Sequence, residues 1–430
     1  MRSELFLIPV EYAGVPIFGF GVLLAVWAVA LAAILWWLLR QPNGRAEVYA
    51  QLPVFAVVTL VIIGLPWVMP GGLPIRGYGV MLVLAASTGL AMAVHRARAR
   101  GVAPDTVLSM AFAMFLLGIL GARVFFVVRY WDDAFAPYGT AEGLRKALFF
   151  TEGGLVVYGS LIGGAIAFVW FTRRQGLPML AMADVIAPSL VVGLAIGRIG
   201  CLLNGCCYGG VCDRPWAVTF PRHHSSDRTA SAKYSPPYGD QVSRGQMHGF
   251  RLVEDASSDP PTVAVGSVTD DGPAGLKPGD RVAVINGSKV LSLDQAQFLV
   301  TKAYDAKQPI QLRLASGAAV TAPAASIRQR SLPVHPTQIY SAVNAGLLAW
   351  FLWLYYPFRR RDGEVVALLL TIYPLARFLL EAIRTDDSFI AGTGLTTSQN
   401  VSILLLATMV PVWWYLFSQS ASRTDRFVAA

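Results

Sequence analysis

The sequence predicts an all-α polytopic membrane protein of about nine transmembrane helices, with a small α+β domain inserted outside the membrane. Three observations predict it. Hydrophobic residues make up 55% of the 430 positions and charged residues 14%, against about 25% charged in a soluble domain. About nine apolar segments approach the ~20 residues that a bilayer core requires. One stretch, 222–330, breaks this pattern with Ser, Asp, Pro and short strand-like patches.

The expected spans are Val15–Leu39, Leu52–Met69, Tyr78–Val94, Val107–Tyr130, Leu155–Phe171, Val185–Leu203, Tyr340–Tyr356, Val365–Ile383 and Val401–Phe417. The first is too long for a cleaved signal peptide and reads as an anchor that stays. Every odd-numbered span exits into a basic loop: Arg40 and Arg45; His95, Arg96, Arg98 and Arg100; Arg173 and Arg174; Arg359, Arg360 and Arg361; Arg423 and Arg426. Basic loops stay in the cytoplasm. The N-terminus and the loop from Asn204 to Val334 are therefore expected outside the membrane, and the C-terminus inside. The net charge of +9 resides largely in these loops, and without an aromatic-interleaved basic patch no nucleic acid partner is expected.

The expected organisation is an N-terminal two-span segment at 1–72, a membrane core in two parts at 73–221 and 331–420, a linker and inserted domain at 222–330, and a cytoplasmic tail at 421–430. The stretches Ile17–Val26 and Ile75–Leu84 look alike, which suggests local duplication of one span. Within the insert, the polar run from His223 to Gln246 reads as flexible. Thr262–Val268 alternates as a strand does. Ala274–Leu276 suits one helical turn, Arg281–Ile285 a strand ending in an Asn-Gly turn, Leu293–Lys302 a helix and Ile310–Leu314 another strand.

The run from Gly272 to Val290, GPAGLKPGDRVAVINGSKV, resembles a PDZ domain. The resemblance implies strand addition of an extended peptide or protein ligand. Gly249-Phe250-Arg251-Leu252 then takes the place of the carboxylate-binding loop.

Ionisable residues at membrane depth are costly and so are functional candidates. Arg123, Asp184, Arg198, Arg377 and Glu381 fall within spans. By the predicted orientation, Arg123, Arg198 and Arg377 share one depth near the outer surface. Three guanidinium forks there suit an anionic lipid headgroup, although Arg377 can also pair with Glu381 one turn later. Gly193, Gly197 and Gly200 flank Arg198 and permit close approach of a helix or ligand. A second polar cluster, Val334-His335-Pro336-Thr337-Gln338, stands where a helix begins.

Four pieces together resemble the prolipoprotein diacylglyceryl transferase family: the run EGGLVVYGSLIGG at Glu152–Gly164, the signature GRIGCLLNGCCYG from Gly197, the motif HPTQIY from His335, and Tyr373 to Glu381 followed by Arg384. The resemblance covers most of the chain outside the first ~70 residues and the insert. It implies transfer of diacylglyceryl from phosphatidylglycerol to the lipobox cysteine of prolipoprotein signal peptides, without a cofactor, in the bacterial inner membrane. By the same resemblance Arg198, Arg377, Tyr373 and Tyr158 are catalytic candidates. Arg198, Asn204, Gly205, Gly209, His335, Gln338, Arg123, Glu381 and Arg384 are candidates for binding substrate and membrane lipid.

The chain departs from the family pattern at three places. Tyr158 stands where a histidine is usual, Cys201 where an asparagine is, and Cys206 where a glutamate is. The general base is left unassigned, because a phenol with an ordinary pKa near ~10 is a poor one. The four cysteines, all between Cys201 and Cys212, suit a disulfide in an outer compartment, ahead of metal binding or a catalytic thiol. No histidine is followed by Glu, which removes a His-Glu-x-x-His metalloprotease. The alternative reading is a non-catalytic membrane scaffold or transporter-like protein that docks exported proteins through the insert.

Overall fold

The computed structural model describes residues 4–42, 44–148, 154, 156–223, 234–255, 257, 261–270, 272–324, 328–384 and 393–424. In chain order the N-terminal part holds β1 (Glu4–Ile8), β2 (Glu11–Tyr12), β3 (Val15–Pro16), α1 (Val22–Leu39), α2 (Gly44–Val68) and β4 (Leu73–Arg76). Then come α3 (Gly77–Arg98), α4 (Pro104–Arg129), α5 (Trp131–Ala134), α6 (Thr140–Leu148), α7 (Val157–Arg174) and α8 (Met179–Asn204). The insert holds α9 (Pro236–Ser243), β5 (Phe250–Asp255), β6 (Thr262–Val268), β7 (Val282–Ile285), β8 (Ser288–Lys289), α10 (Leu293–Asp305), β9 (Ile310–Leu314) and β10 (Ala319–Ala322). The chain closes with α11 (Thr337–Tyr355), α12 (Glu364–Glu381) and α13 (Thr397–Ser418).

Among the described residues seven helices are long and apolar enough to cross a membrane: α1, α2, α3, α4, α8, α11 and α13. The protein is thus a polytopic helical membrane protein. The fifth and eighth expected spans also fold as helices, α7 and α12, but stand outside that set. Helix α12 carries Glu364, Arg377 and Glu381, and α7 ends in Arg173 and Arg174. The chain divides into two compact units, one of Met1–Val80 with Pro221–Arg330, the other of Met81–Phe220 with Ser331–Ala430.

In the first unit, β1 pairs antiparallel with β4, from Glu4 opposite Arg76 to Ile8 opposite Leu73. The first span begins later than expected. Val15 and Pro16 form a strand against Glu11 and Tyr12, and α1 starts only at Val22. The intervening Gly19 has φ +69°, a left-handed value that interrupts a regular helix there. Trp27 of α1 donates to the Thr59 hydroxyl of α2 at 2.9 Å.

The insert has a four-stranded sheet in the order β10-β9-β7-β8 and a β5–β6 hairpin. Phe250, Val265, Ile285, Val300 and Leu312 lie in its core. Asn286 and Gly287 make the expected tight turn, both at positive φ. Four expectations need correction. Ala274–Leu276 is a turn, not a helix, because Gly275 sits at φ +88°. The strand begins at Val282, and the helix runs on to Asp305. The stretch expected to be flexible contains α9, whose Tyr238 is fully buried against Tyr304; residues 224–233 lie outside the described part. Two apolar side chains one helical turn apart, Tyr238 and Val242, give α9 a face to bury within an otherwise polar run.

In the second unit, α4 and α7 meet through glycines. A Cβ on Gly159 would lie 2.3 Å from the Gly121 oxygen, and one on Gly163 2.1 Å from that of Leu117. Small residues at that spacing let two membrane helices touch backbone to backbone, and this fixes the neighbouring Tyr158. The core gathers Met110, Met182, Val185, Leu352 and Val365 from α4, α8, α11 and α12. Asp184, a candidate from its place in a span, is fully buried and structural. Its carboxylate accepts from the Gly363 and Val366 amides at 2.8 and 2.9 Å, so a side chain of α8 caps the start of α12.

Candidate active site

Helix α8 ends where Gly205 turns left-handed at φ +74°, with its amide on the Leu202 carbonyl and that of Cys206 on Cys201, each at 3.2 Å. Cys207 is also left-handed, at φ +59°, which costs a non-glycine residue on the order of 1 kcal/mol. The start of α11 holds this reversal. Gln338 donates its amide to the Cys206 carbonyl at 2.7 Å, and the Thr337 hydroxyl donates to that of Cys207 at 2.5 Å. Next, the Gly209 amide meets the His335 carbonyl and the His335 amide that of Gly210, both at 3.0 Å. A Cβ on Gly209 would stand 2.7 Å from that of His335, so only glycine fits.

Gln338 and His335, expected to touch substrate, border this wall, and the Gln338 Oε1 is buried without a hydrogen-bond partner among the described residues. The Gln338 nitrogen is spent on the loop. The His335 ring faces the Tyr340 hydroxyl at 3.3 Å, which accepts from Trp216 at 2.8 Å. Asn204 ends the helix, and Gly205 supplies the turn.

Arg198 lies beside the Tyr373 hydroxyl and the thiols of Cys201 and Cys207. Arg377, four residues after Tyr373 on α12, stands within charge range of Arg198, Arg384 and Tyr373. Its Nη2 contacts the Glu381 carboxylate at 2.8 Å and donates to the Ser398 hydroxyl at 2.9 Å. Its Nη1 is buried and has no hydrogen-bond partner among the described residues. Glu381, itself buried, also holds Arg384 at 3.4 Å. The Tyr158 hydroxyl reaches the same Ser398 oxygen at 3.4 Å.

The structure thus brings together Arg198, Arg377, Tyr373, Glu381 and Arg384, and joins Tyr158 to them through Ser398. Arg123, expected at the same depth, makes its described side-chain hydrogen bonds elsewhere. They go to the backbone oxygens of Lys146 and Ala147, each at 2.9 Å, and Gly154, at 3.2 Å. The last carbonyls of α6 have no partner within their own helix and take these donors instead. Arg123 therefore links the end of α6 to Gly154, ahead of Tyr158; residues 149–153 and 155 lie outside the described part.

Sequence reasoning passed over Ser398. Its signal is the polar run Thr396-Thr397-Ser398-Gln399-Asn400 opening an otherwise apolar helix, where Thr396 and Gln399 form a reciprocal cap. The cysteines also differ from expectation. All four are free thiols. The sulfurs of Cys201, Cys206 and Cys207 lie within 4.8 Å of one another, while Cys212 is buried outside that group.

The prolipoprotein diacylglyceryl transferase family model matches residues 66–254 and 283–415. A phosphatidylglycerol–prolipoprotein diacylglyceryl transferase of Rhodopirellula baltica is 33% identical over 455 aligned positions, covering 95% of this chain and 87% of the relative. Similarly named proteins of Trichormus variabilis and Clostridium tetani are 29% and 33% identical. Those matches cover 39% and 35% of the chain, and 57% of each relative.

Proposed function

The chain belongs to the prolipoprotein diacylglyceryl transferase family, and on that premise we propose that it moves the diacylglyceryl group of phosphatidylglycerol onto the lipobox cysteine of a prolipoprotein. The thiol sulfur forms a thioether with the terminal glyceryl carbon, and glycerol phosphate departs.

The observation that carries this reading is the charge balance of the arginine cluster. Arg198, Arg377 and Arg384 bring three positive charges, and Glu381 returns one negative. That cationic surplus among the described residues suits the departing glycerol phosphate, which gains a second charge as the carbon–oxygen bond breaks. Cations fixed before the reaction stabilise that developing charge more than the singly charged substrate. The unpartnered Nη1 of Arg377 offers a buried donor for a phosphate oxygen. Tyr373 and Tyr158 hold Arg198 and Ser398 in register with the headgroup.

The protein's surroundings follow from the same reading. The helices cross the bacterial inner membrane nine times, with α7 and α12 completing the set of seven. The N-terminus and insert face the outer side and the C-terminus the cytoplasm, as the basic loops require. The insert acts as a PDZ-like module. The cleft of about 360 Å³ between β5 and α10, lined by Arg251, Leu252, Val253, Leu293 and Gln297, supports strand addition of a peptide there.

The test uses purified full-length protein in detergent, labelled phosphatidylglycerol and a lipobox peptide. Thioether product that disappears in Arg198→Ala and Arg377→Ala supports the transferase. A folded preparation that makes no product at any lipid concentration sinks it.

A further inference from the structure

We propose that Cys201, Cys206 and Cys207 bind one zinc(II) ion whose fourth position receives the lipobox thiol, so that the metal site supplies the nucleophile that a general base supplies elsewhere. The role in catalysis rests on the transferase reading; the site itself rests on the geometry of the three thiols.

One chain reversal builds the cluster. Cys201 sits on the last turn of α8, and Gly205 at φ +74° and Cys207 at φ +59° fold the chain back over it. The three sulfurs come within 4.8 Å of one another. A tetrahedral zinc–thiolate site, with bonds of about 2.3 Å, sets its sulfurs roughly 3.8 Å apart. Small side-chain rotations close the difference, and the backbone need not move. It is already pinned by Gln338 and Thr337 at 2.7 and 2.5 Å, so the cost of ordering the ligands is met by the fold.

The chemistry of the donor set points the same way. Three thiolates and one zinc(II) leave one negative charge beside Arg198 and Arg384, which lowers by one the cationic surplus left to face the phosphate. Among the described residues no fourth metal-ligating side chain joins the three. Three protein ligands with an open position are the mark of a catalytic zinc site, whereas structural sites are closed by four. A disulfide would use two of these sulfurs and leave the third beside it without a role.

The substrate is itself a thiol, and the chain has Tyr158 where a histidine base is usual. A thiol bound to zinc is deprotonated outright. The lipobox thiol enters the fourth position as a thiolate, its proton passing to water. A sulfur lone pair forms the carbon–sulfur bond to the terminal glyceryl carbon. The carbon–oxygen bond breaks, its electron pair stays on the phosphate oxygen, and glycerol phosphate leaves as a dianion beside Arg198 and Arg377. The product thioether is a weaker ligand than the thiolate and vacates the position.

The experiment titrates cobalt(II) into reduced, metal-free full-length protein in detergent. One equivalent with a sulfur-to-cobalt charge-transfer band and tetrahedral d–d bands is expected. The bands should be lost in Cys201→Ser, Cys206→Ser and Cys207→Ser and kept in Cys212→Ala. A lipobox peptide should shift the d–d bands, and the same peptide with serine for cysteine should not. Chelation should lower thioether formation about tenfold or more, with recovery on adding zinc. The Arg198→Ala protein should keep the cobalt bands while losing product, which separates the metal site from the transferase reading. Absence of cobalt binding, bands that survive in the Cys201/Cys206/Cys207 triple variant, or an active protein isolated with two of these cysteines as a disulfide overturns the proposal.

Discussion

Arg377 donates to the Ser398 hydroxyl at 2.9 Å, and the Tyr158 hydroxyl shares that oxygen at 3.4 Å. One serine thus links the arginine proposed to bind phosphate to the residue standing in the histidine position. Ser398→Ala removes a hydrogen bond to a charged donor, worth about 1.5–3 kcal/mol. Turnover is expected to fall by about tenfold or more, with the folded state unchanged. Tyr158→Phe should fall less, because it loses one neutral contact. Initial rates at saturating phosphatidylglycerol measure both; a Ser398→Ala enzyme at the original rate refutes the link.

Glu381 is buried between Arg377 and Arg384. Glu381→Gln removes the carboxylate that the largely buried Arg377 and Arg384 guanidinium groups share. Breaking a buried pair costs about 3–5 kcal/mol. A markedly lower Tm is expected, partly restored by phosphate or glycerol phosphate, which supply the missing anion. Thermal unfolding with and without glycerol phosphate gives the answer.

Gly209 has no room for a methyl group, with His335, Thr337 and Ile383 atoms between 2.7 and 3.1 Å from its Cβ position. Gly209→Ala should push the loop off α11 and abolish transfer while the other helices stay folded. Unaltered activity contradicts the wall assigned to Gln338 and Thr337.

His248, in the insert, is held neutral by burial, which lowers its pKa to about 4. Its Nδ1 has no hydrogen-bond partner among the described residues. The unfolded chain binds the proton below about pH 6.5 and the fold does not. The unfolded state therefore gains protons first, and stability falls as pH drops from about 6.5 towards 4, being complete above 6.5. Hydrogen exchange at β5 and β6 amides, corrected for intrinsic rates, should show protection lost over that window. His248→Leu should flatten the dependence.

The ends of the insert lie side by side. The Phe220 amide donates to the Ser331 hydroxyl at 2.9 Å, and the Ser331 amide to the Phe220 carbonyl at 2.8 Å. Replacing residues 222–329 with a short Gly-Ser linker should leave transfer to a lipobox peptide intact and change the choice among full-length acceptors. Loss of folding in that variant contradicts an independent insert.

The sequence by itself determined that this is a helical membrane protein, which family it belongs to, and which arginines are the candidates for its chemistry. Apolar run length and the spacing of charges along one helix are local quantities, so α8 and α12 with Arg198 and Arg377 were legible. The Asn-Gly turn and the alternation of Thr262–Val268 were legible for the same reason. What touches what across helices was decided only by tertiary packing. Tyr158 and Ser398 are 240 positions apart, and no periodicity in either helix says that they meet. Arg123 shows the converse, since a shared depth did not say that backbone carbonyls of α6 would take its donors. The thiols were visible as letters, but their convergence needed the left-handed turns at Gly205 and Cys207. Those turns are held by α11, which follows the insert, and contacts between distant segments leave no local pattern to read.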